Sequence, residues 1–317
     1  MKMILDVDTG IDDALALAYA LGSEEAEVVG VTCCFGNVTS EQAAENTLAV
    51  LHLLGADDIP VYVGRNITFS GEEYVPRQAN KRVHGENGIG GVAVCGVERK
   101  PEEEEAAAYM ERMAEQYGSE LVIVATAAMT NLARFIRKNP AAAKRIGTIS
   151  VMGGALTVPG NVTPYAEANI ISDPEAAKFV FESGVPILMI GLDVTLQTLM
   201  SAGQIEEQTQ PWRLHTKTGG KFADMLYYYC SNERKGCGMG AIHDPLAVAA
   251  VLHPELVTSI GVNLTVETAG ESRGRTIGDL TRLQQKDKTV QACIGVDVPA
   301  FMEEFLKTAE KAMRRYR

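Results

Sequence analysis

The sequence predicts an α/β protein: a largely parallel sheet covered by helices on both faces. Short apolar runs alternate with capped helical segments from the first residues onward, and glycines or prolines separate one run from the next. No internal repeat, low-complexity linker or break in composition interrupts the 317 residues, which favours one domain over residues 1–317.

The elements follow in order. Residues 3–7 are a buried strand and 12–21 a helix that ends near Gly22; residues 28–32 form the second strand. Thr39 and Gln42, three apart, make a capping box for a helix that runs to Leu54 and stops at Gly55. Residues 60–63 are a short strand. Pro101 is expected to start a helix whose first turn is the glutamate run 102–105 and whose amphipathic stretch ends at Gly118. Strands at 121–125 and 148–152 bracket a helix around 132–138. Asp173-Pro174 caps the next helix, which ends at Gly184 before a strand at 186–192. Residues 243–252 read as helix, 257–266 as extended and 298–315 as a closing helix. Two stretches lack clear periodicity, 66–91 and 204–240, and are expected to be lids or substrate loops.

Composition narrows the partners. With 29 Lys+Arg against 41 Asp+Glu the formal charge is −12, which argues against nucleic acid or an anionic membrane surface. A phosphorylated substrate would need a local island of positive charge or a metal. No apolar run approaches the roughly 20 residues that span a bilayer. The amino terminus reaches Asp6 too soon for a signal peptide. Six cysteines (Cys33, Cys34, Cys95, Cys230, Cys237 and Cys293) show no C-x-x-C pairing and read as reduced thiols. A zinc site from Cys230, Cys237 and His243 matches no standard spacing. The expected setting is the cytoplasm.

The densest chemistry is Asp6-Val7-Asp8-Thr9-Gly10-Ile11-Asp12-Asp13-Ala14. Strand periodicity puts Asp6 and Asp8 on one face at the carboxyl end of the first strand, Gly10 permits a sharp turn, and Asp12 and Asp13 fall at the helix start. Ligands of open α/β sheets bind beyond such strand ends. Two carboxylates about 4 Å apart repel by roughly 4 kcal/mol at an effective dielectric of about 20. Four acids in eight residues must therefore take up protons or hold a cation, and oxygen-only ligands favour Ca²⁺ or Mg²⁺ over zinc.

This motif resembles the amino-terminal signature of the inosine–uridine-type nucleoside hydrolases. Three later segments match the same family in order: Phe35-Gly36-Asn37; Met152-Gly153-Gly154 with the stretch from Asn161 to Asn169; and Ile242-His243-Asp244-Pro245. Arg273-Gly274-Arg275-Thr276 with Asp279 is a weaker echo. The resemblance covers essentially the whole chain. It implies a single Rossmann-like domain with a largely parallel, mixed central sheet flanked by helices, and a homo-oligomer, dimer or tetramer.

The resemblance also implies an activity: Ca²⁺-dependent hydrolysis of the N-glycosidic bond of ribonucleosides to free base and ribose, with a metal-bound water as nucleophile. It assigns Ca²⁺ to Asp8, Asp13, Asp244 and the backbone carbonyl of Thr126. Asp8 takes the proton of the water. Asp12 binds the ribose 2′-hydroxyl, Asn161 and Glu167 the 5′ end, and Asn169 with Asp244 the 3′-hydroxyl. Asn37 supports the water and metal shell, and Met152 packs near the sugar. His243, beside Asp244, supplies a proton or hydrogen bond to the departing base, and His84 resembles a residue of the family's mobile base-pocket loop. Of Tyr227, Tyr228 and Tyr229, which cannot all face the base, Tyr227 is taken as the contact. His52, His215 and His253 are structural or surface residues.

Such a set suits the chemistry. Cleavage builds positive charge on the ribose, which carboxylates stabilise, and the base leaves poorly unless protonated. Two departures from the family pattern bear on substrate range. Ala168 stands in Glu167-Ala168-Asn169 where an aromatic is common, and Trp212, the one tryptophan, argues against branches that sandwich purines between tryptophans. Alternative readings are a ribose- or nucleoside-binding module without catalysis, and a Mg²⁺-dependent phosphatase suggested by Asp6-x-Asp8.

Overall fold

A computed structural model describes residues 1–232 and 238–315. Twelve strands are present among them: β1 (Lys2–Val7), β2 (Glu27–Cys33), β3 (Val61–Val63), β4 (Leu121–Ala125), β5 (Thr148–Met152), β6 (Ile187–Ile190), β7 (Leu199–Ser201), β8 (Met239–Ala241), β9 (Val257–Val262), β10 (Leu264–Val266), β11 (Thr276–Gly278) and β12 (Val290–Val296). Eight form the central sheet in the order β3-β2-β1-β4-β5-β6-β12-β9. All neighbours are parallel except β12 and β9, so the sheet is mixed with one antiparallel edge. β7 pairs with β8 and β10 with β11, each as a separate antiparallel pair.

Strand periodicity sorts the two hydrophobic layers. Met3, Leu5 and Val7 of β1 pack with the helices Ile11–Gly22, Ser40–Leu53, Asp244–Leu252 and Val298–Arg314. Ile4 faces the other way, into a layer with the helices Ala106–Tyr117, Thr130–Lys138 and Pro174–Glu182. The chain runs outward from β1 in both directions, to β2 and to β4. That reversal opens a crevice beyond the carboxyl ends of the central strands, where ligands of such sheets bind.

Most expected elements are present, with four differences. The glutamate run is not a first turn: the helix begins at Ala106 with Glu105 at its N-cap position, and Glu102 instead bridges to Tyr62. Residues 66–91 contain the helix Gln78–His84. Residues 204–240 are largely helical, with Ala202–Gln208, Gln210–His215 and Lys217–Asn232. The extended run 257–266 breaks at Asn263, giving β9 to the main sheet and β10 to the small pair. Among the described residues no helix is long and apolar enough to cross a membrane. Cys33, Cys34, Cys95 and Cys293 are free thiols, whereas Cys237, and with it the zinc grouping, lies outside the described residues.

Candidate active site

A cavity of about 630 Å³ opens above the carboxyl ends of the sheet. Asp12, Asn37, His84, Thr126, Met152, Asn161, Glu167, Asn169, His243 and Asp244 all line it, although they come from segments spread over most of the chain. Each arrives for a local reason. Thr126 follows β4, Met152 ends β5, and Asp244 opens the helix Asp244–Leu252 with Pro245 in its first turn.

The floor is carboxylate. Ligand oxygens of Asp12, Asp13 and Asp244 lie within 4.8 Å of one another. Asp13 closes the first turn of its helix by accepting from the Gly10 amide at 2.8 Å, and its other oxygen accepts from Thr126 Oγ1 at 2.7 Å. Asp8, just past β1, accepts from the Asn37 amide at 2.7 Å and from Asn37 Nδ2 at 3.0 Å. Gly36 permits this approach, because a Cβ there would run into Asp8 Oδ2.

Burial governs the electrostatics. It pushes Asp8 and Asp244 well above the usual carboxylate range, and the charges of their acidic neighbours add to the effect. Asp13 is pushed up to about 6, first by burial and then by the charge of Asp12. Three acids that resist joint ionisation, with Asp12 beside them and only oxygen on offer, are a donor set suited to a hard divalent cation. The grouping differs in one respect from the expected one. Asp12 joins Asp13 and Asp244, while Asp8 adjoins Asp13 with both its oxygens turned to Asn37.

Asp6 is a different case. Held by Thr32 Oγ1 at 2.7 Å and Asn131 Nδ2 at 2.9 Å, it lies under the floor and does not line the cavity. Its carboxyl is pushed up to about 7 by burial.

The walls are polar and ordered. Glu167 accepts from the amides of Gly154, Asn169 and Ile170, so it caps the helix Ala168–Ser172 while facing the cavity. Asn169 Nδ2 donates to the carbonyls of Thr126 (2.8 Å) and Met152 (3.0 Å), tying two strand ends together. His84 Nδ1 accepts from the Ile11 amide at 3.1 Å, which puts the ring proton on Nε2. His243 Nδ1 lies 2.7 Å from Thr195 Oγ1.

One expectation is corrected. Tyr227 is 39% exposed and does not line the cavity. Tyr229 does, and its hydroxyl donates to Asp12 Oδ2 at 3.4 Å. Residues two apart on a helix point about 200° away from each other, so only one of the two can face inward. The signal was present: Phe222, Met225, Leu226 and Tyr229 fall at i, i+3, i+4 and i+7, one apolar helix face that includes Tyr229. Trp212 is buried against the closing helix and donates to the Leu306 carbonyl at 3.1 Å, away from the cavity. Thr195, Arg77 and Arg82 are further site residues for which no sequence signal was found.

Comparison with known proteins agrees with this geometry. The family model described as inosine-uridine preferring nucleoside hydrolase matches residues 3–303. A uridine nucleosidase of Arabidopsis thaliana is 37% identical over 88% of this chain and 82% of its own length. A pyrimidine-specific ribonucleoside hydrolase of Salmonella paratyphi B is 34% identical over 96% of each. Among solved structures, a purine-preferring ribonucleoside hydrolase from Gardnerella vaginalis superposes with a TM-score of 0.95 at 44% identity, over 99% of this chain and 100% of that one. With strand order, cavity and motifs in agreement, the chain belongs to the inosine–uridine preferring nucleoside hydrolase family.

Proposed function

We propose that this enzyme hydrolyses the N-glycosidic bond of purine and pyrimidine ribonucleosides, releasing base and ribose, with Ca²⁺ at its acidic floor. The observation that carries the reading is the buried group Asp8, Asp12, Asp13 and Asp244 beneath a cavity walled by Asn161, Glu167, Asn169 and His243. Asp8, Asp13, Asp244 and the Thr126 carbonyl hold the cation. Bound there, it supplies Lewis acidity that lowers the pKa of a water molecule. Asp8 takes the proton of the attacking water, and the Asn37 amide and side chain keep that carboxylate aimed.

Asp12 accepts from the ribose 2′-hydroxyl, Asn169 and Asp244 bind the 3′-hydroxyl, and Asn161 with Glu167 bind the 5′ end. A sugar lacking one of these hydroxyls leaves a buried polar group unpaired and is rejected. Positive charge grows on the ribose as the bond breaks, and the surrounding carboxylates stabilise it. His243 gives a hydrogen bond to the departing base, with His84 and Tyr229 beside it.

Relatives of both base preferences exist, so the proposal includes both classes. We further propose a homo-oligomer acting in the cytoplasm, where the free thiols suit a reducing compartment. A panel of ribonucleosides with 2′-deoxy controls, assayed for reducing sugar with calcium, with chelator and after calcium add-back, tests the activity. Ribose release that stops on chelation and returns with calcium is expected. A folded, calcium-loaded sample that cleaves no ribonucleoside would sink the proposal.

A further inference from the structure

The short helix Leu192–Thr195, which follows β6, is absent from the roles given so far. Thr195 is fully buried, and its hydroxyl lies 2.7 Å from His243 Nδ1. The two residues are 48 positions apart, and their meeting is set by backbone. β7 and β8 pair Leu199 with Ala241. The pairing continues one step further, because the Ile242 amide donates to the Thr198 carbonyl at 2.9 Å. Thr198 in turn donates to the Thr195 carbonyl, from its amide at 3.2 Å and its hydroxyl at 2.9 Å. His243, next after Ile242, is thereby carried to the end of the helix that bears Thr195.

A threonine hydroxyl can give one hydrogen bond and accept others, and an imidazole nitrogen takes whichever role its tautomer allows. The usual outlet for a helical threonine proton is the carbonyl four residues back. Here Gly191 O accepts the Thr195 amide, and among the described residues His243 Nδ1 is the hydrogen-bond partner of Thr195 Oγ1. The hydroxyl proton therefore goes to Nδ1, and the ring proton of neutral His243 sits on Nε2. With Nδ1 turned to Thr195, Nε2 lies on the other side of the ring, and His243 lines the cavity.

We infer that Thr195 is a positioning residue for the hydrolysis: it fixes the rotation and tautomer of His243 so that Nε2–H points at the leaving base. This rests on the proposed role of His243 as the donor to that base. An outer partner that orients a functional histidine is typically worth about 10–100-fold in rate. The effect should depend on the leaving group, because a nitrophenolate departs unaided whereas a nucleobase needs a hydrogen bond to carry its growing negative charge.

The test compares Thr195→Val, Thr195→Ser and His243→Ala on a ribonucleoside and on 4-nitrophenyl β-D-ribofuranoside. We expect Thr195→Val to lower kcat on the ribonucleoside about 10–100-fold with KM near the wild-type value. Its turnover of the nitrophenyl riboside should stay close to wild type, and Thr195→Ser should restore ribonucleoside cleavage. Long-range ¹H–¹⁵N spectra of the five histidines, with His243 identified by its loss in His243→Ala, give a readout independent of turnover. Wild-type protein and Thr195→Ser should show a single Nε2–H tautomer for His243, and Thr195→Val a mixture. Equal losses on both substrates in Thr195→Val, or a Thr195→Ser as slow as Thr195→Val, overturn the inference while leaving the role of His243 standing if His243→Ala is selective. If His243→Ala slows both substrates equally, the role of His243 and the inference fall together.

Discussion

At the outer surface Glu104 lies 2.7 Å from Arg112, Glu111 2.7 Å from Lys138 and Glu310 2.7 Å from Arg314. Beneath the cavity the acids are treated in the opposite way. Asp8, Asp13 and Asp244 are buried, and among the described residues no ion pair joins any of them to Lys or Arg. Surface carboxylates keep solvent and a cation of the chain's own, so their ionisation disturbs folding little. Cavity carboxylates have lost water and gained one another. The net charge of −12 thus has two components: acids balanced where they stand, and acids that no described Lys or Arg pairs with.

Removing one floor charge while keeping its shape should break this contrast most sharply. In Asp13→Asn the amide can still accept from the Gly10 amide, and the Thr126 hydroxyl can reverse its role. Turnover should fall by about three orders of magnitude, the equivalent of roughly 4 kcal/mol of lost transition-state stabilisation. Yet the metal-free variant should melt above metal-free wild type at pH 8, because a buried repulsion has gone. Ribonucleoside assays and thermal melts in chelator check the two halves. A variant that is both inactive and less stable would show that Asp13 works mainly as a helix cap.

How much of this was legible in the sequence follows the same division between local and distant causes. β5 was readable to the residue because an apolar run flanked by turns has only one physical use in a sheet. The Asp173 cap was readable because its acceptor bonds the Ala176 amide three residues on. The helix Lys217–Asn232 was obscured by Gly219, Gly220 and a polar start, and its apolar face emerges only from the spacing of Phe222 to Tyr229. The glutamates 102–105 misled for an opposite reason: their charge suits a helix start, but the helix begins at Ala106 and residue 102 is drawn to the edge of β3. Thr195 had no signal, since its partner lies 48 residues away and meets it through the β7–β8 pairing.

Calcium and pH sharpen the contrast next. Asp13, pushed up to about 6 by burial and then by Asp12, holds its proton to higher pH in the folded chain than in the unfolded one. Metal-free protein therefore gains stability as pH falls through about 6, and bears the full penalty of ionised acids above it. A cation that binds only the folded state at a hundred times its Kd adds about 2.7 kcal/mol. That gain should be complete at pH 8 and shrink as pH drops below 6, where protons compete for the same oxygens. Melts with calcium and with chelator at pH 8.0 and 5.5 measure it. An equal calcium shift at both pH values would place the cation elsewhere.

The smallest effect belongs to the surface. Glu104→Gln keeps the shape of the side chain facing Arg112 and removes its charge, while Arg112 retains its place over the Tyr109 ring at 5.1 Å from the centroid. The partners are half or one-third exposed, so the pair contributes no more than about 1 kcal/mol and is screened by salt. Stability should change by less than that in low salt, the difference should vanish in high salt, and kcat should be unchanged. Denaturant melts at two ionic strengths, run beside Asp13→Asn, make the comparison direct: the same loss of one negative charge weakens the fold slightly where a guanidinium stood opposite and strengthens it where other carboxylates crowd the site. A Glu104→Gln variant that gained stability as Asp13→Asn does would show that overall charge, and not local pairing, decides both outcomes.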